Sequence, residues 1–253
     1  WTDSKFPHAS AVMLPDGMMF GRAAMTDGSF QSLDSILVPG DDLQFWIPES
    51  GDRVAAFAQR HAQLFGAGTT RRLHQMAAAV VGCSGTGSPL IEQLARLGFG
   101  RLVIVDPDRV EEKNLNRILN ATREHAYLKR PKVEVMASAI AVMGFGTELE
   151  IIQADLATPR AVKAVAECDV VFGCMDGVEG RHLLNRLAAF YTLPYFDVGV
   201  RLDADGKGGI DEACGAIHYV RPDTSTLQDR KVYTPEQLKA AGLRRTDPKA
   251  YRD

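Results

Sequence analysis

The sequence predicts a doubly wound α/β fold, in which helices cover both faces of a mostly parallel sheet, preceded by a small β-rich segment. From Ala77 onward, short apolar runs alternate with amphipathic segments, and this β-α-β alternation is typical of parallel strands. A glycine-rich turn at residues 82–87 follows the first apolar run, as expected where the first strand of such a sheet leads into its helix. The 253 residues, 45% of them apolar, can form one large or two small domains with a real core.

Composition excludes several classes of partner and site. A net charge of -3 does not provide the excess of positive charge expected of a protein that binds nucleic acid or an anionic membrane. No apolar run approaches the ~18 residues of a membrane span and no signal-peptide pattern opens the chain, so we expect a cytoplasmic protein. The first residue is Trp1 rather than methionine, which indicates a fragment or a processed chain. The 4 cysteines and 6 histidines lack the spacings of zinc sites, and we expect no structural metal.

The region before the sheet has two predicted parts. Residues 1–48 form the β-rich segment, with strands expected at 9–14, 18–24, 35–38 and 43–47, turns at 15–17 and 26–29, and a break at 48–52. Residues 53–76 form a helical linker or dimer segment. Its helix is expected at 54–64, interrupted at 66–68 and resumed at 71–76.

The predicted nucleotide-binding domain covers residues 77–222. Strands are expected at 77–81, 102–105, 149–154, 169–174 and 195–200, and helices at 88–97, 131–143, 159–167 and 179–191. Pro89 suits the first turn of its helix because its missing N–H needs no partner there. A turn at 204–209 should join strands 198–202 and 210–220, and a polar tail or crossover segment with a short helix at 235–241 should occupy residues 223–253.

The strongest local signal is the glycine-rich turn, Gly82-Cys83-Ser84-Gly85-Thr86-Gly87. Glycines at such a strand-to-helix turn let the backbone approach a phosphate, with N–H groups and the helix dipole directed at it. Asp106 stands 19 residues after Gly87 at the end of the second strand, where a carboxylate can bind the ribose hydroxyls. Because Ser84 breaks the strict G-x-G-x-x-G pattern, the alternative is a tight turn without a ligand. The pattern favours a Rossmann-like nucleotide site and leaves the nucleotide open.

The residues around and after Asp106 narrow the choice of nucleotide. Residues 105–117, VDPDRVEEKNLNR, resemble the signature of the ThiF/MoeB/HesA family, relatives of ubiquitin-activating enzymes that adenylate protein C-termini. The resemblance covers about residues 57–222. Its further motifs are Arg60, 63–66, 130–134, 174–176, Arg181 and 194–200.

This resemblance implies ATP and Mg²⁺ as cofactors, a homodimer, and a ubiquitin-like or sulfur-carrier protein as the substrate, with a conjugating enzyme as a further partner. The implied nucleotide-binding residues are Gly82, Ser84, Gly85, Gly87, Asp106, Asp108, Asn114, Arg117 and Lys132. The implied catalytic residues are Arg60, Arg117, Lys132 and Asp176. Arg117 and Lys132 would hold the triphosphate, Asn114 would donate to a phosphate oxygen, and Asp176 would be the magnesium ligand. Arg60 would reach the ATP bound to the other protomer.

Each of these residues has a simpler interpretation. Lys132 and Arg117 could be solvated charges on a helix and a loop. Asp176 could cap the helix that begins near Glu179, and Arg60 could be a surface charge. Asp197, in the 194–200 motif, could be a buried hydrogen-bonding carboxylate. The order and spacing of the motifs together favour the functional interpretation.

The chain also departs from the family pattern. Ile118 follows Arg117 where the family often has glutamine, the C-x-x-C pairs of many members are absent, and residues 223–233 hold no cysteine for a thioester. We expect Cys83, Cys174 and Cys214 to be buried, inert thiols. The rival functions are a nicotinamide-dependent oxidoreductase and a non-catalytic ThiF-like scaffold. The pathway stays open between antiviral conjugation, cofactor sulfuration and peptide modification.

The β-rich segment carries a second, fainter resemblance. Residues 9–17 look like the closing strands of JAB/MPN-type isopeptidase domains. That family's H-x-H metal motif is absent, so the resemblance implies no protease activity.

Overall fold

The computed structural model describes residues 7–47 and 53–246 and divides the chain into two compact units, Trp1–Arg53 and Val54–Asp253. The predicted break at 48–52 lies outside the described residues. Among the residues described, no helix is both long enough and apolar enough to cross a membrane.

The first unit contains two small antiparallel sheets. One has the strands β1 (His8–Met13), β2 (Met19–Ala24) and β3 (Phe30–Ser32), and the other has β4 (Ile36–Pro39) and β5 (Leu43–Trp46). In the turn between β1 and β2, Gly17 has φ +85° and the Asp16 carboxylate accepts from the Met18 N–H at 3.0 Å. β3 was not predicted, because three residues are too few to show an alternating pattern.

The second unit begins with a short 3₁₀ turn, Ala56–Ala58, followed by α1 (Gln59–Phe65) and α2 (Ala67–Gln75). The predicted single helix from residue 54 was therefore wrong at its start. The predicted interruption at 66–68 shrinks to Gly66, with φ +88°. Ala67 and Gly68 already lie in the first turn of α2, where N–H groups need no partner within the helix.

The main sheet has six strands. They are β6 (Ala77–Val81), β7 (Arg101–Val105), β8 (Glu148–Ile152), β9 (Val170–Gly173), β10 (Tyr195–Ala204) and β11 (Ile210–Val220). Their order is β11-β10-β9-β6-β7-β8, and all neighbours are parallel except β10 and β11. The predicted doubly wound, mostly parallel sheet is confirmed.

Helices cover both faces of this sheet. They are α3 (Gly87–Leu97), α4 (Arg123–Tyr127), α5 (Lys132–Met143), α6 (Pro159–Ala166), α7 (Val178–Tyr191) and α8 (Pro235–Thr246). α3 packs against α5, whereas α6 packs against α7 and α7 against α8. Because β6 and β7 are covered on both sides, successive residues such as Ala79, Val80 and Val103, Ile104 are all fully buried.

The chain order creates a crevice at one edge of the sheet. The chain runs from β6 outward to β7 and β8, then crosses to β9 on the other side of β6. In doubly wound sheets, ligands bind at the carboxyl ends of the two strands where the direction of winding reverses. Those ends are Val81 and Gly173, which pair with each other.

The hairpin of β10 and β11 extends past the rest of the sheet. β9 pairs with β10 only from Tyr195 to Asp197, while the pairing of β10 with β11 continues to Ala204. The outer part of this hairpin is therefore a two-stranded ribbon. β10 therefore extends to Ala204, two residues beyond the end of the strands predicted at 195–200 and 198–202.

Candidate functional site

The glycine loop between β6 and α3 uses its glycines for two purposes. Gly82 has φ +99°, and a Cβ there would lie 2.6 Å from the Cys174 carbonyl oxygen. A Cβ on Gly87 would overlap the Gly82 carbonyl oxygen. These two glycines therefore permit close backbone packing. The three atoms nearest to a Cβ on Gly85 would all belong to the Arg117 side chain, the first at 3.2 Å, so the missing Cβ leaves room for Arg117 beside the loop.

The first turn of α3 begins at this loop, where the Ser88 N–H donates to the Ser84 carbonyl at 2.8 Å and Pro89 has no N–H. Thr86 is the N-cap residue, but its side chain makes no capping bond and its hydroxyl instead donates to the Cys174 carbonyl at 3.3 Å. The Ser88 hydroxyl donates to the Ser84 carbonyl at 2.8 Å and accepts from the Leu119 N–H at 3.0 Å. A helix N-terminus without a side-chain cap, behind a glycine loop, is a favourable place for phosphate.

Asp106 links the glycine loop to the end of β7 through hydrogen bonds. Its side chain is buried, and its two oxygens accept from the backbone N–H groups of Cys83 at 2.7 Å and Asp108 at 2.8 Å. Burial raises the pKa of the Asp106 carboxyl above its ordinary value, and the Cys83 hydrogen bond and Lys132 partly offset that shift. The carboxylate thus sits at the predicted position beside the loop, where it also fixes the backbone of the loop.

Lys132 is the first residue of α5 and it is buried, at 6% exposure. Its ammonium nitrogen lies 2.7 Å from an Asp108 carboxylate oxygen and 4.0 Å from an Asp106 oxygen. The backbone N–H of Lys132 also donates to the Asp108 carbonyl at 3.0 Å. The interpretation of Lys132 as a solvated helix charge was therefore wrong.

Asn114 and Arg117 lie on the segment that closes the other side of the loop. Asn114 ends a 3₁₀ turn, Glu112–Asn114, and its buried side-chain oxygen accepts from the Glu111 N–H at 3.1 Å. The aliphatic part of Arg117 faces Gly85, while its exposed guanidinium donates to the Lys113 carbonyl at 3.1 Å. This geometry places the aliphatic part of Arg117 against the glycine loop, while its guanidinium bonds to the neighbouring segment at Lys113 and Asn116.

Asp176 lies on the loop between β9 and α7, and it is exposed. The N-cap residue of α7 is Gly177, and no side chain caps that helix. The helix-capping interpretation of Asp176 was therefore wrong. Asp176 follows Cys174, whose carbonyl lies against Gly82, so its carboxylate stands at the same edge of the sheet as the loop.

Arg60 lies on α1 and is exposed, and its guanidinium donates to the Gln63 side chain at 3.1 Å. The structure links Asp106 and Arg117 to the glycine loop directly and Lys132 through Asp106, but it gives Arg60 a partner on its own helix.

A second polar group lies two strands away from the loop. The Asp197 side chain is 1% exposed and accepts from Arg181 Nε at 3.1 Å and from the Tyr195 hydroxyl at 2.9 Å. The interpretation of Asp197 as a buried hydrogen-bonding carboxylate is confirmed. The part played by Tyr195 was missed, although two residues apart on one strand share a face.

The cysteines differ from one another. Cys83, Cys168 and Cys174 are buried, but Cys214 is exposed, so the expectation of a buried thiol at Cys214 was wrong. The reason is its place on the ribbon of β10 and β11, where it pairs with Arg201 beyond the reach of β9. Burial raises the pKa of Cys174 to about 12, and burial with the nearby Asp106 raises the pKa of Cys83 well above its ordinary value.

The chain matches a family model, curated relatives and solved structures. The model of the ThiF family matches residues 58–229. The SAMP-activating enzyme E1 of Haloferax volcanii is 33% identical over 123 residues, which are 49% of this chain and 45% of that protein. Ubiquitin-like modifier-activating enzyme 5 of Drosophila melanogaster is 28% identical over 163 residues, 60% of this chain and 38% of that protein. The chain thus spans less than half the length of these relatives.

Two solved structures show a similar fold. E. coli MccB with ATP has a TM-score of 0.56 and 18% identity, over 80% of this chain and 65% of that chain. E. coli tRNA N6-threonylcarbamoyladenosine dehydratase, TcdA, in complex with ATP has a TM-score of 0.50 and 26% identity, over 62% of this chain and 70% of that chain.

Proposed function

The chain belongs to the ThiF family, and we propose that it uses ATP and Mg²⁺ to adenylate the C-terminal carboxylate of a ubiquitin-like or sulfur-carrier protein. The observation that carries this proposal is the position of two cations around one glycine loop. Arg117 lies against Gly85, and Lys132 is held beside Asp106 by an ion pair with Asp108. A loop that accepts phosphate next to two cations suits a triphosphate better than a dinucleotide.

The reaction requires positioning and neutralisation of charge more than proton transfer. A carboxylate oxygen of the substrate attacks the α-phosphorus of ATP, and a new P–O bond forms. The bond from the α-phosphorus to the bridging oxygen breaks, and its electron pair leaves with pyrophosphate. Arg117 and Lys132 stabilise the charge on that leaving group. The N–H groups of the glycine loop and Asn114 hold the phosphate oxygens.

Asp176 is the residue that would hold Mg²⁺, which would neutralise phosphate charge. The described residues contain no group of three or more His, Cys, Asp or Glu side chains suited to a metal ion. One carboxylate is nevertheless enough, because protein-bound Mg²⁺ is commonly held by one or two carboxylates together with substrate phosphates and water. The exposed position of Asp176 at the end of β9 fits that role.

We further propose that the active form is a homodimer in which Arg60 serves the site of the other protomer. Its exposed position on α1, where it hydrogen-bonds to the neutral side chain of Gln63, supports this arrangement. An arginine supplied in this way would act as an arginine finger does, adding positive charge at the transferred phosphate.

The protein substrate offers a C-terminal tail, and a conjugating enzyme would take over the activated group in a conjugation pathway. The names of the relatives support this class of substrate, since one is a SAMP-activating enzyme and another activates a ubiquitin-like modifier. Because residues 223–233 contain no cysteine, we propose that the adenylate itself is the product of this chain.

ATP–pyrophosphate exchange in the presence of a ubiquitin-like protein tests the proposal. Carboxylate-dependent exchange supports adenylation. A protein that binds ATP but shows no exchange with any carrier would be the non-catalytic scaffold, and a protein stabilised by NAD as strongly as by ATP would be the oxidoreductase.

A further inference from the structure

An open cleft of about 390 Å³ lies between the hairpin of β10 and β11 and the segment 230–232. It is distinct from the glycine loop, and none of the residues assigned above to the nucleotide lines it. Its floor is the face of the hairpin that carries Asp197, Arg201 and His218. Its wall is formed by Arg230 and Lys231.

The cleft is strongly cationic. Among the described residues that line it, Arg181, Arg201, Arg230 and Lys231 are cations and Asp197 is the one carboxylate. Asp197 pairs with Arg181, and Arg201 pairs with Asp203 at 2.6 Å. Arg230, in contrast, donates to the neutral hydroxyl of Ser225 at 2.9 Å, and Lys231 is exposed. This concentration of positive charge occurs in a chain whose formal net charge is -3.

The cleft lies at the same edge of the sheet as the glycine loop. Asp197, on the floor of the cleft, pairs with Gly173, which in turn pairs with Val81, the residue before Gly82. Two strand spacings separate Asp197 from Val81, a distance of roughly 10 Å. An extended polypeptide covers that distance in about three residues.

We propose that this cleft binds an acidic segment of the protein substrate, with Arg230 and Lys231 contacting carboxylates about three residues before the C-terminal residue that is adenylated. This inference rests on the proposed function for the identity of the ligand. The inference goes beyond the proposed function because it names the feature of the substrate that is recognised. A ligand of carboxylates matches the two cations that have no carboxylate partner of their own in the cleft.

The test is a binding measurement without ATP. The probe is a fluorescein-labelled synthetic decapeptide with a free C-terminus and glutamates at the third and fourth positions before its last residue. The reference peptide has glutamine at both positions. We expect fluorescence anisotropy to show binding of the glutamate peptide that weakens with added salt, and much weaker binding of the glutamine peptide.

Two matched double variants locate the binding. R230Q/K231Q should bind the glutamate peptide about tenfold more weakly. R160Q/K163Q loses the same charge from exposed positions on α6, outside the cleft, and should bind it like the wild type. R230E/K231E should prefer a peptide with lysines at the two positions. That reversal would not follow if the two residues only supported the fold.

Three results would overturn the inference: no preference for the glutamate peptide, equal loss in both double variants, or preferential binding of a 12-nucleotide single-stranded RNA at the cleft. A different result would contradict the proposed function. Peptide binding that depends on Arg230 and Lys231, without pyrophosphate exchange with any carrier, would contradict adenylation and leave the acidic-segment site in place. Pyrophosphate exchange with a carrier, together with equal affinity for the glutamate and glutamine peptides, would contradict only the inference about the cleft.

Discussion

The ammonium group of Lys132 joins two carboxylates, lying 2.7 Å from Asp108 and 4.0 Å from Asp106. The Lys132 side chain is 7% exposed, whereas the Asp108 side chain is 64% exposed. The cation is therefore fixed beside the glycine loop, while one of its partners faces water. We propose that a bound phosphate replaces Asp108 as the partner of Lys132, and that the Asp108 carboxylate is then solvated. Such preorganisation lowers the cost of ordering a charged side chain when the nucleotide binds.

Replacement of Lys132 by methionine tests this role. Lys132→Met leaves Asp106 buried without its nearby cation and removes the positive charge that would stabilise the pyrophosphate leaving group. We expect pyrophosphate exchange to fall about a hundredfold and the free energy of unfolding to fall by about 2 kcal/mol. Exchange assays and urea denaturation measure the two effects. Lys163→Met, at an exposed position on α6, should change neither, and wild-type exchange in Lys132→Met would exclude the lysine from the reaction.

The two roles of the loop glycines predict two different alanine variants. Gly82→Ala places a Cβ against the Cys174 carbonyl at a residue with φ +99°, and it should destabilise the protein by about 2 kcal/mol or more. The nearest neighbour of the new methyl group in Gly85→Ala is the flexible Arg117 side chain, and the stability of this variant should change by less than about 1 kcal/mol. It should still weaken ATP binding, because the methyl group displaces Arg117 from its place beside the loop.

Thermal denaturation and ATP titration of the two glycine variants give the comparison. A Gly85→Ala protein that binds ATP like the wild type would show that the phosphates do not lie over this loop.

The buried Asp106 predicts a pH dependence. Its folded-state pKa is raised above the ordinary value of 3.8, chiefly by burial. The folded protein therefore binds the proton of Asp106 more readily than the unfolded chain does. The resulting stabilisation is fully present below the unfolded pKa and is lost as the pH rises through the folded pKa. Asp106→Asn lacks this contribution, so the wild type should lose stability relative to Asp106→Asn as the pH rises from 3.5 to neutrality.

Melting temperatures of the wild type and Asp106→Asn over this range measure the difference. A difference that is constant, or that grows in favour of the wild type as the pH rises, would show that the folded-state pKa is not raised.

Two inactive variants can test the assignment of Arg60 to the other protomer. Arg60→Ala and Asp176→Ala homodimers should each have little exchange activity, because every site lacks one residue. A mixed dimer holds one site with both residues, so mixing should restore up to about a quarter of wild-type activity, the statistical yield of one intact site in half of the dimers. Since no side chain caps α7, Asp176→Ala should also keep its melting temperature.

Glu148→Ala is the control for Asp176→Ala. Glu148 is also exposed, but it is the first residue of β8 and lies at the amino ends of the parallel strands, away from the glycine loop. Once light scattering and subunit exchange confirm mixed dimers, an inactive mixture would mean that Arg60 acts within its own protomer or has no catalytic role.

The sequence predicted those parts of the fold that depend on local patterns. The buried strands β6 and β7 correspond to apolar runs in the sequence. The glycine loop is recognised by its place between a strand and a helix and by the 19 residues that separate Gly87 from Asp106. The elements α4 and β3 were missed because five residues make less than two helical turns and three residues are too few to show an alternation. The segment before the sheet was predicted as helical, but only the structure shows that the helix break is confined to Gly66.

The sequence proposes which residues form the site, but it does not predict their contacts. The burial of Lys132 depends on the backbone pairing of segments 24 residues apart in the chain, which no local pattern encodes. The exposure of Cys214 depends on where β9 ends relative to β10. The assignment of residues 1–48 to a JAB-like remnant stays a prediction.

Adenylation is tested most directly by following the phosphates of ATP in the presence of a ubiquitin-like protein. ATP labelled on the γ-phosphate should release its label as pyrophosphate, and ATP labelled on the α-phosphate should transfer its label to the carrier. Both should require the free C-terminal carboxylate of the carrier, and both should be lost in Lys132→Met. Release of the γ-label as inorganic phosphate, with no α-label on the carrier, would contradict the account.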